Sequence, residues 1–200
     1  LHNLSKCLNE VGRHQEGVTA IEEALSVRRR LAETNPARHE PDLADSLNNL
    51  GVCLGAAGRP KEAPGAIEEG VNIYRGLVEQ NPLAYEPGLS GLLISLSESL
   101  RAVGRYHEGL AAIEEAVNVC RRLAKANPAA HEYDLAMSLD SLSLRLGEVV
   151  RYHDGLAASE EAVNVCRRLA KANPAAHESD LALTLNTLSL RLGEVGRYNE

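Results

Sequence analysis

The 200-residue chain contains no Phe and no Trp, one Met and six Tyr. A compact single core of this size is normally filled with large aromatics. Their absence points to a thin interior of Leu, Ala, Val and Ile, as between stacked helices. Basic charge is also short, with 21 Lys and Arg against 28 Asp and Glu and a formal charge of −7. That balance counts against a general nucleic-acid binder, which needs a basic face for phosphates. No apolar run approaches the ~20 residues of a membrane span, and no signal-peptide pattern opens the sequence. The four cysteines, Cys7, Cys53, Cys120 and Cys166, form no Cys-x-x-Cys pair, so zinc-knuckle spacing is missing. The expectation is a soluble, cytoplasmic protein with reduced thiols, no membrane association and no nucleic-acid partner.

What is present is a repeat. Asn-Pro recurs at Asn35-Pro36, Asn81-Pro82, Asn127-Pro128 and Asn173-Pro174, each step being 46 residues. Gly12-Arg13, Gly58-Arg59, Gly104-Arg105 and Gly196-Arg197 keep the same period, with Val150-Arg151 in the remaining place. The segment at 117–132 returns unchanged at 163–178, which points to a recent duplication.

Each unit reads as two helices, A and B. Leu135, Leu139, Leu142 and Leu146 form one face of a helix A, and Leu110, Ile113, Val117, Cys120 and Leu123 form the stripe of a helix B. Gly104 separates them as a left-handed helix stop. After helix B, Asn caps and Pro opens a short helical turn. Glu132 and Asp134 then start the next helix A, with acids at its positive end. Helix B runs from Glu114-Glu115 to Arg121-Arg122, which also complements the dipole. The predicted A spans are 42–57, 88–103, 134–149 and 180–195. The predicted B spans are 15–33, 61–79, 107–125 and 153–171. A lone hairpin cannot bury both apolar faces, so the units must stack. The expected organisation is one array over 1–200. It comprises a partial repeat 1–41, repeats 42–87, 88–133 and 134–179, and a partial repeat 180–200, as a fragment of a longer array.

At Leu47, Leu50, Gly51, Leu54, Gly58, Ala63, Ile67 and Gly70 the unit resembles the tetratricopeptide repeat (TPR). Leu93, Leu96, Ser97, Leu100, Gly104, Gly109, Ile113 and Ala116 match in the next copy. Tyr106 and Tyr152 match the tyrosine often found two places after the turn glycine. The period of 46 exceeds the family's usual length of about 34. Lengthened repeats with a Leu-Asn-Asn-Leu helix A, here Leu47 to Leu50, resemble the kinesin light chain type. The resemblance implies an all-α fold, a right-handed superhelical solenoid of antiparallel helix pairs. It also implies a concave wall built mainly by the A helices. Similar repeats occur in large signalling proteins that join such arrays to ATPase or protease modules.

Carrying over the groove-facing positions of helix A gives Asp45, Asn48 and Val52 in the second copy, and Ile94, Glu98 and Arg101 in the third. The fourth gives Met137, Asp140, Leu144 and Glu148, and the fifth gives Leu183, Asn186, Leu190 and Glu194. These places vary between otherwise near-identical copies. They mix apolar and acidic side chains, which suits a peptide or protein segment with apolar anchors and some positive charge. A family subclass grips a carboxylate chain end with Lys and Asn on helix A. Only Lys6 and Asn49 fit that mode, so it is not expected.

Catalytic and metal-binding candidates dissolve on alignment. The cysteines recur one period apart, Cys7 with Cys53 and Cys120 with Cys166, as buried core side chains do. His39, His131 and His177 share a column with Tyr85, and His107 shares one with His153, which suggests copied packing positions. Glu68-Glu69 and Glu160-Glu161 recur as a solvated face. No Ser-His-Asp set or phosphate-cradling glycine loop is present. No cofactor, metal or catalytic residue is expected, and the chain is expected not to be an enzyme.

Three places strain the pattern. Val150 stands where a positive φ is expected. Ser159 replaces Ile21, Ile67 and Ile113 on a buried stripe, which requires its hydroxyl to bond back to the previous turn. Pro60, Pro64, Gly65, Gly70 and Gly76 predict a frayed or bent start to the second helix B.

The expected function is a non-enzymatic scaffold binding a peptide or protein in its groove. The alternative is a regulatory or sensor array within a larger signalling protein, acting on an absent domain. End-to-end self-association through uncapped repeats is a further expectation.

Overall fold

In a computed structural model, residues 13–196 are described. Expectations that involve Leu1, Lys6, Cys7, Gly12, Arg197 and Glu200 lie outside the described residues. The described residues form eight helices and no strand: α1 (His14–Thr34), α2 (Pro36–Ala56), α3 (Ala63–Gln80), α4 (Pro82–Ala102), α5 (Tyr106–Ala126), α6 (Pro128–Glu148), α7 (Tyr152–Ala172) and α8 (Pro174–Glu194). No described helix is long and apolar enough to cross a membrane.

The A helices start six residues earlier than the sequence suggested. Asn35, Asn81, Asn127 and Asn173 adopt extended backbone, and the Pro that follows each is the first helical residue. Proline is well placed there, because its missing N–H would have no helical acceptor. There is no separate short turn: Glu132 and Asp134 lie inside α6 instead of opening it. Pro41 and Pro87 lie inside α2 and α4, each removing one ladder bond from the second turn. Of the four Asn caps, only Asn35 uses its side chain, accepting from the Arg38 N–H at 3.4 Å.

The A-to-B turns share one stop. Gly58, Gly104 and Gly196 have φ of 76°, 79° and 78°, and Val150 is forced into the same region at 64°. The Arg59, Arg105 and Arg151 N–H groups reach back to the carbonyls of Leu54, Leu100 and Leu146 at 2.8–2.9 Å, closing the last turn. Helix α3 begins at Ala63, three residues later in the repeat than α5 and α7. Pro60 precedes it, and Pro64 falls in its first turn, where a missing donor costs nothing.

The chain forms two compact units, Leu1–Arg105 and Tyr106–Glu200. In the first, α1, α2, α3 and α4 pack in sequence, and α2 also meets α4. In the second, α5, α6, α7 and α8 do the same, and α6 meets α8. The core is thin, as the missing aromatics suggested: Ile21, Leu47, Ile67, Leu77, Leu93, Ile113 and Leu139 are its largest fully buried side chains. Each buried aliphatic of this size contributes about 1.5–3 kcal/mol. Cys53, Cys120 and Cys166 are buried thiols outside any disulfide, in keeping with core positions. Burial pushes the Cys166 thiol up despite its bond with Thr184, so the reactive thiolate is suppressed. Ser159 is fully buried, and its Oγ donates to the Leu156 carbonyl at 2.9 Å, the bond its position required.

Candidate functional site

In the first unit, α2 and α4 leave a hollow of about 420 Å³ between them, closed below by Pro60, Ala63 and Ile67. Val52 and Gly55 of α2 line one wall, and Ile94, Glu98, Ser99 and Arg101 of α4 line the other. Four of the sequence-predicted groove residues, Val52, Ile94, Glu98 and Arg101, therefore share one cavity. A second hollow of about 450 Å³ adjoins it through Pro60 and Ala102 and adds Lys61 and Arg105.

The hollow exists because both helices present small residues to it. A Cβ on Gly55 would meet no atom within 4 Å, so the glycine faces open space. Gly51, one turn earlier, has the opposite role. A Cβ there would lie 2.5 Å from Ile67 Cγ1, so this glycine lets α2 and α3 approach closely. At the rim, Arg101 Nε pairs with Glu98 at 3.3 Å. Val52 is 55% exposed, an apolar side chain held in solvent at the mouth.

Asp45 and Asn48 lie further along α2. Asp45 accepts a hydrogen bond from the Tyr74 hydroxyl at 2.9 Å. Burial, then that bond, raises the Tyr74 hydroxyl's pKa well above the usual tyrosine value. The Tyr74 ring also lies against Gly88 of α4, so one side chain ties α2, α3 and α4 together. Asn48 is half-buried.

The second unit treats the same columns differently. Gly147 of α6 matches Gly55, and Arg191 of α8 stands where α4 has Ser99. The Arg191 guanidinium lies against Gly147 and occupies the space that is open in the first unit. Arg191 is only 4% exposed and pairs with Glu194 at 2.7 Å. Asp140, expected on the groove surface, is buried beside it. Burial raises the Asp140 carboxyl, while Thr187 and Arg191 oppose the shift. Glu148 pairs with Arg145 at 3.0 Å. Met137 packs on the Ala136, Val165 and Cys166 cluster, and so belongs mainly to the core. Leu144 is half-buried. Leu183, Asn186, Leu190 and Glu194 are exposed along α8.

Sequence reasoning missed the column of Cys53, Ser99, Arg145 and Arg191. The available signal was an arginine inside the apolar run Leu142-Ser143-Leu144-Arg145-Leu146. Of the histidines, His177 of α8 lies against the Tyr133 ring of α6, with ring centroids 5.8 Å apart. His131 and His177 face Asp134 and Asp180 of their own helices at 3.6 and 3.5 Å. No cluster that could hold a metal occurs among the described residues.

This all-α architecture of repeated helix pairs is the TPR-like solenoid fold, and solved structures show it. The chain is similar to the nearly identical TPR-like repeats of a kinesin light chain-like protein from Podosopora anserina, with 20% identity and a TM-score of 0.75. That likeness covers 98% of this chain and 85% of the other. BtubC (BKLC) from P. vanneervenii aligns at 14% identity and a TM-score of 0.60, covering 92% of this chain and 85% of that one. The apo form of RapI aligns over the full chain at 15% identity and a TM-score of 0.65, although the chain spans only 51% of RapI. No family model matches the chain, and no curated protein matches it.

Proposed function

We propose that the chain is a non-enzymatic protein-interaction scaffold that binds a peptide or protein segment along its A helices. The groove between α2 and α4 is its principal contact. The observation carrying this is that Val52, Ile94, Glu98 and Arg101, named as groove residues by their repeat position, line one open hollow. Its floor is apolar and its rim carries Glu98, Arg101 and, in the adjoining hollow, Lys61. That mixture suits an apolar anchor flanked by polar or charged residues, the usual arrangement of a peptide site. The TPR-like fold adds support at the level of fold alone.

Panning a random peptide display library against the full chain tests the proposal. Selected peptides should share a large apolar residue and lose binding to Gly55→Leu, which fills the hollow without touching the packed side of α2. Peptides that bind Gly55→Leu as well as the parent would refute the groove.

A further inference from the structure

In the second unit Arg191 is seated by shape and charge more than by hydrogen bonds. A Cβ on Gly147 would overlap its guanidinium, so the group presses on the bare backbone of α6. Its Cδ would lie 3.3 Å from a Cβ on Gly155, so its stem runs along α7 as well. The residue is 4% exposed. Yet Arg191 Nε has no hydrogen-bond partner among the described residues, and neither have Asp140 Oδ1 and Ser143 Oγ of α6. A buried donor without an acceptor weakens its own burial. The ion pair that Arg191 does make, with Glu194 at 2.7 Å, lies within α8. Glu194 reaches solvent, so the guanidinium can leave Gly147 and keep this partner. Arginine suits such a move, because its stem can line an apolar wall while its head stands in water.

The space beneath the guanidinium is cut deeper than the first unit's hollow. That hollow rests on Ala63 and Ile67. Two repeats later the same places hold Gly155 and Ser159, both smaller. The mouth changes too: Val52 and Glu98 become Leu144 and Leu190, and Arg101 becomes Gly193. The floor has lost volume, one long side chain has filled it, and the rim has exchanged an ion pair for leucines.

We propose that Arg191 is a displaceable plug over a second, closed hollow between α6 and α8. The hollow admits a large apolar side chain of a bound protein segment when the guanidinium swings out to solvent with Glu194. The class of occupant rests on the scaffold reading above, whereas the plug itself does not. The side chains flanking the anchor should be apolar, because Leu144 and Leu190 form the mouth. Arg191 thereby sets how many anchors the two units accept: the first hollow is open at rest, and the second opens only when the guanidinium leaves.

The test uses the full chain carrying Gly55→Leu, which fills the first hollow, with N-acetyl-tryptophanamide as the probe. The chain has no Trp, so the indole fluorescence comes from the probe alone. Adding Arg191→Ser and Asp140→Asn should tighten saturable probe binding about tenfold, because a closed hollow lowers apparent affinity by its open fraction. In the Gly55→Leu chain itself, exchange of the Arg191 Nε proton, followed by NMR and corrected for its intrinsic rate, should outpace the backbone amides of α6 and α8. That is opening without unfolding. Equal probe binding with and without the two added substitutions overturns the hollow. An Nε proton as protected as those amides overturns the plug, and this readout decides even if the added substitutions prevent folding. Library peptides indifferent to Gly55→Leu would refute the first unit's groove and leave both of these outcomes unchanged.

Discussion

The guanidinium of Arg191 lies against Gly147 and fills the space between α6 and α8 that Ser99 and Gly55 leave open between α4 and α2. One column of the repeat therefore decides whether a pair of A helices holds a groove. The second residue in each case follows suit: Asn48 goes with Ser99, and Asp140 with Arg191. The buried carboxylate and the buried guanidinium offset each other's loss of solvent.

That pairing predicts coupling. Arg191→Ser alone should destabilise the second unit, because it leaves the Asp140 carboxylate buried without its cation. Arg191→Ser with Asp140→Asn recreates the first unit's composition and should recover much of the loss. A double-mutant cycle by chemical denaturation should give a coupling of about 1–3 kcal/mol, and an additive result would refute the linkage.

Asp140 also predicts a pH dependence. Its carboxyl is raised by burial, so the folded chain holds that proton more tightly than the unfolded chain does. Stability from this group is present at low pH and declines as pH rises from the ordinary carboxylate value through the raised one. Asp140→Asn should therefore flatten the dependence of stability on pH between the ordinary and the raised carboxylate values. A melting temperature that varies with pH as steeply as the parent's would point to another group.

Gly51 and Gly55 lie one turn apart on α2 and should respond oppositely to alanine. Gly55→Ala enters open space and should stabilise by about 0.5–1 kcal/mol through helix propensity. Gly51→Ala drives a methyl into Ile67 and should lose stability by about 1–3 kcal/mol. Equal effects in thermal melts would contradict the close approach of α2 and α3.

Val150 holds φ at 64°, a region that penalises a β-branched side chain. It is also 66% exposed, so little packing compensates. Val150→Gly should add about 1 kcal/mol of stability. A melting temperature that is unchanged or lower would remove the strain argument.

The positions tied to local chemistry could be read without coordinates. Val150 was legible because four other copies have Gly there, and Ser159 because three have Ile. Pro60 and Pro64 were read as a frayed or bent start to a helix from residue 61, whereas the structure starts α3 at Ala63. The A-helix starts were misplaced because Asn-Pro was read as opening a separate short turn, with acids such as Glu132 and Asp134 as the start of helix A. In the structure Pro36 is already a sound first residue, and the helix absorbs one lost bond at Pro41. Repeat position also placed Val52, Ile94, Glu98 and Arg101 on neighbouring A helices, and these four line one hollow.

The amino-acid sequence by itself determined the repeat, the helix pairs and a core without large aromatics, because period and residue volume are local properties that copying preserves. Only the tertiary structure decided which inner surfaces are open. Asp140 looked like a surface acid, and Arg191 attracted no attention. Their burial depends on Gly147, which lies 44 residues before Arg191 in the chain and against it in space. A cavity is a property of two facing helices at once, and no single helix pattern records what its neighbour leaves empty.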